Sequence, residues 1–306
     1  MRAVFVDANA TLRAIAESLV AARLPTLDIA FGPADIVGDA IPQLVAGATI
    51  AWIDHTALPT DVAARCGGLT DVVFLGTGAR SYMDPEALAS VGIAVHLIKG
   101  YGDTAVAEHT IALLFAAARD LVAMDRAMRA GTWLRTEGLQ LAGKTLGLIG
   151  FGGIAAEVAR IARGIGMRVL AWNRTTRRAD GVEFVAIERL LAASDAVSLH
   201  LLLADETRGF LSRERIAAMR PGAILVNTAR GALVDDDAMV DALRSGQLGH
   251  AALDVFAVEP LPAGHVLTTL ANVTLSAHSA FRTSEANVRL IEAAVAHSAR
   301  IVARRG

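Results

Sequence analysis

Cysteine is almost absent: Cys66 stands alone among 306 residues, so no disulfide can form within the chain and nothing in the composition asks for an oxidising compartment. Long apolar runs are missing as well. The one after Met1 is too short for the core of a secretory signal and reads as a first strand. The most apolar helical stretch, around residues 105–118, carries Glu108 and His109, which argues against a membrane span. Charge of one sign is not in excess either. The 29 Lys and Arg nearly balance the 31 Asp and Glu, which leaves no broad basic field for nucleic acid. His55, His96, His109, His200, His250, His265 and His297 have no acidic or thiol partners at metal-ligand spacing, so no metal is expected. These absences describe a cytoplasmic α/β protein, at or beyond the size where one core divides in two.

What is present is organised around residues 145–178, TLGLIGFGGIAAEVARIARGIGMRVLAWNRTTRR. A short apolar strand over 145–149 stops at a glycine turn, and a helical stretch runs from there to about 163. Gly150 allows the tight turn, Gly152 lets backbone approach a pyrophosphate, and small Ala155 lets the helix pack on the strand. The N–H groups at the helix start, at Gly153 and Ile154, would face that diphosphate. A second strand over 168–172 follows, and the residue after it is where a nucleotide ribose is read. A carboxylate there would favour NAD and repel a 2′-phosphate. The chain has Asn173 instead, followed by Arg174, Thr175, Arg177 and Arg178. A guanidinium beside a hydroxyl suits a phosphate, so NADP is expected over NAD; a solvated basic loop would use the same residues.

Before this stretch, β-like runs at 3–6, 50–53, 72–75 and 94–98 alternate with helical ones such as 12–22, which predicts a parallel sheet. The loop Gly76, Thr77, Gly78, Ala79, Arg80 follows a strand and can present backbone N–H groups to a small anion, or serve as an ordinary turn. Residues 104–130 read as one long helix that links domains and can pack on a second subunit. Beyond 178 the alternation continues through 182–185, 196–201, 223–226 and 251–255. With the two strands around the glycine turn, these make six parallel strands. Residues 283–304 form a final amphipathic helix.

Three charged side chains fall just past strand ends, where open α/β sheets bind ligands: Arg230 after 223–226, Glu259 after 251–255, and His278 after 273–275. Reduction of a 2-oxo acid needs a cation for the carboxylate, a proton donor at the carbonyl oxygen and a group that keeps the donor charged. Arg230 can supply a bidentate fork, His278 can supply the proton, and a nearby Glu259 would favour its charged form.

The glycine turn, VNTARGALVDDDAMVDAL around Arg230, AALDVFAVEPLP ending past Glu259, LSAHSAF around His278, and Ala107-Glu108-His109 together resemble the D-2-hydroxyacid dehydrogenase family. The resemblance implies two Rossmann-like domains with doubly wound parallel sheets. A cofactor domain over 101–280 would be inserted into a flavodoxin-like substrate domain made of 1–100 and 281–306, with the active site in the cleft. It implies that Arg230 holds the substrate carboxylate with backbone N–H groups of Gly76, Thr77, Gly78 and Ala79. His278 would be the acid/base, Glu259 its partner, and Thr228 and Asp254 would join the cofactor residues. A homodimer acting on glyoxylate or hydroxypyruvate with NADP is the leading implication. An NAD-dependent relative resembling phosphoglycerate dehydrogenase, a corepressor-like nucleotide sensor, and formate- or phosphite-oxidising relatives share the scaffold. The segments His200-Leu201-Leu202-Leu203 and Leu97-Ile98-Lys99-Gly100-Tyr101 depart from the family pattern, and Arg80, Lys99 and Tyr101 become candidate substrate contacts.

Overall fold

The computed structural model describes residues 1–175 and 177–305. Two compact units divide the chain. One is Met1–Gly102 together with the residues from Arg282 on, and the other, Asp103–Phe281, is inserted between those two pieces.

The first unit is built on five parallel strands, β1 (Arg2–Phe5), β2 (Asp28–Phe31), β3 (Ile50–Ile53), β4 (Asp71–Phe74) and β5 (Ala94–Leu97). Their order is β2-β1-β3-β4-β5, the flavodoxin-like arrangement. Strands β3 and β4 are buried along their whole length, as strands covered on both faces must be. The helix Ala10–Arg23 starts at Asn9, whose side chain accepts the Leu12 N–H at 3.0 Å, and buries Leu12, Ala16 and Val20. The helix Ser284–Arg305 adds Leu290, Ile291, Ala294 and Val295 to the same core as Phe5, Trp52 and Val73. There the Trp52 indole N–H donates to buried Ser298 at 2.9 Å. Strand β2 was not anticipated from sequence. It is a short edge strand with one exposed and three half-buried residues, and so carries little apolar signal.

The second unit holds seven parallel strands: β6 (Thr145–Ile149), β7 (Arg168–Trp172), β8 (Glu183–Phe184), β9 (Ala196–Leu199), β10 (Ala223–Asn227), β11 (Leu248–Leu253) and β12 (Val273–Leu275). The order β12-β11-β10-β9-β6-β7-β8 is the six-stranded dinucleotide-binding sheet with one further edge strand, β12. Both units are Rossmann-like. Leu190, Leu199, Leu225 and Leu253 belong to the core on one face of this sheet, and Leu114, Leu148, Val158 and Val226 to the core on the other.

The single helix expected over 104–130 is two. Asp103–Ala118 is largely buried, Asp120 turns left-handed at φ +49°, and Leu121–Arg129 follows with no buried residue. The Leu139 N–H donates to the Ala118 carbonyl at 2.6 Å, which satisfies an orphaned helix-end acceptor. Aspartate tolerates the left-handed turn through its short polar side chain. Alanine and arginine on either side favour helix, so the break leaves no mark in the propensity.

Candidate active site

Strand β6 delivers the chain to Gly150, which sits at φ +89°, where a Cβ would lie 2.7 Å from the His200 carbonyl oxygen past β9. Only glycine fits that crossing between β6 and β9, the point where the strand order reverses. Gly152 is the N-cap of the helix Gly153–Gly164 and offers no side chain to its N–H groups. The space where its Cβ would point is open. Ala155 is fully buried against the sheet. A free helix N-terminus facing open space beside a glycine turn fits a diphosphate. At Gly153 a Cβ would run into the Asp103 carboxyl. Burial, with a smaller push from Glu157, raises that carboxyl above its ordinary range.

Asn173, after β7, accepts the Phe151 N–H at 3.1 Å and donates its amide to the Thr175 carbonyl and hydroxyl at 2.9 and 3.0 Å. It therefore ties the ribose end of the site to the glycine turn. Arg174, Thr175, Arg177 and Arg178 are exposed; Thr176 of that stretch lies outside the described residues.

The three charged groups come together within the second unit. His278 Nδ1 lies 2.6 Å from one oxygen of Glu259, and the other oxygen of Glu259 accepts the Phe256 N–H at 2.9 Å. Burial alone would raise the Glu259 carboxyl. Hydrogen bonds from His278 and Phe256, with the charges of His278 and Arg230, instead hold it below its ordinary 4.5. Arg230 follows β10, where Asn227 braces the loop by accepting the Ala229 N–H and donating to the Arg230 carbonyl, each at 3.0 Å. Gly231 lets this loop lie on the backbone of Phe256 and Ala257. That contact brings the Arg230 loop against the segment that carries Glu259.

His278 itself has φ +46°, a strained conformation for a non-glycine residue. Asp254, fully buried at the end of β11, holds it there. The Asp254 carbonyl accepts the His278 N–H at 2.8 Å. Its carboxylate accepts the Ser276 hydroxyl at 2.6 Å and the N–H groups of Ser279 and Ala280 at 2.9 Å each. The Ser276 hydroxyl in turn faces His109 Nε2 at 3.0 Å. Thr228, also buried, has its hydroxyl 2.8 Å from Thr110. Asp254 and Thr228, read from sequence with the cofactor residues, thus already have partners inside the unit, and Asp254 acts on the His278 segment. Neither Ser276 nor His109 was given a site role from sequence, although LSAHSAF and Ala107-Glu108-His109 both stand among the family-like segments.

In the first unit the Gly76 N–H donates to the Phe74 carbonyl at 2.8 Å, so it is not a donor to a ligand. Among the described residues no hydrogen bond engages the N–H groups of Thr77, Gly78 and Ala79. Arg80 is exposed and paired with Glu86. Lys99 is exposed, and Tyr101 packs at the edge of the first unit's core. Among the described residues no group of three His, Cys, Asp or Glu side chains could hold a metal.

Residues 111–280 match the family description "D-isomer specific 2-hydroxyacid dehydrogenase, NAD binding domain". The chain is 42% identical over 221 residues to a glyoxylate reductase of Aeropyrum pernix, a match covering 68% of this chain and just under two thirds, 66%, of that protein. It is 34% identical over 256 residues to a glycerate dehydrogenase of Methylorubrum extorquens, covering 80% of each. Among solved structures, a glyoxylate reductase from Paecilomyes thermophila superposes with a TM-score of 0.87 at 28% identity, over 98% of this chain and 94% of that one.

Proposed function

The chain belongs to the D-isomer specific 2-hydroxyacid dehydrogenase family, and we propose that it reduces a small 2-oxo acid, glyoxylate or hydroxypyruvate, with NADPH as the preferred partner. The observation that carries this reading is the His278–Glu259 contact at 2.6 Å beside the Arg230 loop. A bound nicotinamide supplies the hydride. The protein's own side chains supply the rest. Arg230 takes the substrate carboxylate in a charge-assisted contact. Because His278 turns Nδ1 to Glu259, Nε2 is left to donate a proton to the carbonyl oxygen as it becomes an alkoxide. Glu259 stabilises the protonated imidazole until that transfer and fixes its ring plane.

NADPH is favoured because no carboxylate stands after β7 and three exposed arginines do. Initial rates with glyoxylate are expected to give a kcat/KM at least tenfold higher with NADPH than with NADH, and Asn173→Asp is expected to narrow or invert that ratio. A preference for NADH would overturn the cofactor assignment and keep the reaction; no turnover with any 2-oxo acid would overturn the reaction. The pairing of Arg80 with Glu86 weighs against a phosphorylated substrate, since it occupies one of the two candidate cations, Arg80 and Lys99.

A homodimer is part of the same reading. Phe115, Leu121, Val122, Met128, Trp133 and Leu134 are exposed apolar side chains within twenty residues of one another, and Trp133 is 72% exposed. A patch of this kind marks an interface. Sedimentation is expected to give a dimer, and Trp133→Glu with Leu121→Glu a monomer; a monomeric unaltered protein would refute it. The cofactor and the lone cysteine suit the cytoplasm, and among the described residues no helix is long and apolar enough to cross a membrane.

A further inference from the structure

Arg230 and His278 reach the site on loops that leave different strands. Arg230 follows β10 and His278 follows β12, and β11 lies between those strands in the sheet. Two strand spacings, about 10 Å, therefore separate the points from which the two loops start. The ladder between β10 and β11 ends at Asn227 and Leu253, and that between β11 and β12 at Leu253 and Leu275. Beyond those pairs the loops need other restraints.

The helix Asp103–Ala118 packs across all three strands, and two adjacent residues of it reach one loop each. His109 Nε2 lies 3.0 Å from the hydroxyl of Ser276, which stands two residues before His278. The Thr110 hydroxyl lies 2.8 Å from that of Thr228, which stands two residues before Arg230. Successive residues on a helix diverge by about 100°, so neighbouring side chains can hold two loops apart. The direction of each hydrogen bond follows from the protons available. Ser276 gives its one hydroxyl proton to Asp254 at 2.6 Å, so His109 Nε2–H donates to Ser276. The same Nε2 lies 3.5 Å from the Asp254 oxygen that accepts Ser276. Thr110 gives its proton to the Val106 carbonyl at 2.7 Å, so Thr228 donates to Thr110. Both threonines are buried, where a lost partner costs most.

We infer that His109 and Thr110 are positioning residues, and that this one step of helix sets the separation between the proton donor and the cation of the site. This rests on the reduction of a 2-oxo acid proposed above, in which His278 gives the proton and Arg230 holds the carboxylate. The two arms have different consequences. His109 acts through Ser276 and Asp254, whose carbonyl accepts the His278 N–H and whose carboxylate accepts those of Ser279 and Ala280. Slackening this arm misdirects the imidazole during proton transfer, where an error of about 1 Å can cost about a hundredfold in rate. It lowers kcat. Thr110 acts through Thr228 on the loop of Arg230. Slackening that arm weakens the grip on the substrate carboxylate in the ground state and the transition state alike, which raises KM.

The test is kcat and KM for glyoxylate and hydroxypyruvate at saturating NADPH, with the single-turnover rate of NADPH oxidation. It compares the unaltered protein with His109→Leu, His109→Asn, His109→Gln, Thr110→Val and Thr110→Ser, all below the lowest melting midpoint of the set and per folded molecule. His109→Leu and His109→Asn are expected to lose about tenfold to a hundredfold in kcat, the range for a hydrogen bond to a charged group, with KM little changed. His109→Gln, one methylene longer than asparagine, keeps a donor at the reach of Nε2 and should recover most of the loss. Asparagine against glutamine gives the same comparison if the leucine variant does not fold. Thr110→Val is expected to raise KM about threefold to tenfold, the range for a neutral hydrogen bond, with kcat little changed, and Thr110→Ser to restore it. A merely structural helix would lower the melting midpoints and leave kcat and KM per folded molecule as they were. That result, the same change from both arms, or no recovery in His109→Gln would overturn the role of His109 and Thr110 and leave the reaction standing. No turnover of either substrate by the unaltered protein would overturn the reaction, and this role with it.

Discussion

Replacing His278 by alanine is expected to lower kcat for glyoxylate reduction about a hundredfold to ten-thousandfold, the range for losing a positioned general acid, with binding of NADPH retained. The expectation follows from the contact between His278 and Glu259 at 2.6 Å. The imidazole there is a proton donor backed by a carboxylate on which the charge of Arg230 also acts. Stopped-flow measurement of a single turnover separates this from a slow product step; an unchanged rate of hydride transfer would remove His278 from the chemistry. Glu259→Gln is expected to lose less, since the amide still orients the ring but no longer stabilises its charge. The pH dependence has a definite sign. Glu259 is held below its ordinary 4.5, so its negative charge is complete above the ordinary carboxylate range. It is lost only as pH falls through the depressed value. Between neutrality and about pH 5 the unaltered protein should therefore show no decline from this carboxylate.

Asp254→Ala is expected to cost about 3 kcal/mol or more of stability, read as a fall in the midpoint of a denaturant curve, and to reduce turnover together with it. The substitution removes the acceptor for the Ser276 hydroxyl and for the N–H groups of Ser279 and Ala280, in a site where Asp254 is wholly buried. Buried donors left without partners are what makes such a change severe. It also loosens the backbone on both sides of His278, at Ser276 and at Ser279 and Ala280, so the imidazole loses its aim as the unit loses stability. Asp254→Asn, which keeps an acceptor, should fall between the two. Burial would raise the Asp254 carboxyl, but hydrogen bonds from His109, Ser276, Ser279 and Ala280 hold it below its ordinary 3.8. Its contribution is therefore full above about pH 4 and is lost as pH falls through the depressed value. A variant as stable as the parent would show that this carboxylate is incidental.

The parts of this protein legible in its sequence are those where chemistry demands particular residues close together along the chain. Gly150, Gly152 and Ala155 announce a strand, turn and helix because the backbone crossing at His200 tolerates no side chain. Arg230, Glu259 and His278 stand just past strand ends, and strand ends can be read from apolar runs. Networks joining distant positions were not legible. Asp254 meets Ser276 and Ala280 only because β11 and β12 lie side by side, and Asp7 meets Thr56 only because β1 and β3 do. Aspartate and serine are too common for either pairing to show in composition. The helix break at Asp120 was hidden for the opposite reason, since its neighbours favour helix and the turn depends on one residue's backbone angle. The Gly76 N–H looked available in a glycine loop and is spent on Phe74. Loop sequence alone does not tell a used donor from a free one.

The insertion of one unit inside the other has a consequence for the order in which the protein is made. Synthesis runs from the N-terminus, so residues 103–281 are complete while the first unit still waits for its last helix. Until Ser284–Arg305 leaves the ribosome, Phe5, Trp52 and Val73 lack Leu290, Ile291 and Val295 as neighbours, and the Trp52 indole lacks Ser298. The nucleotide-binding half can therefore fold on the nascent chain. The half that begins the sequence is the last to close.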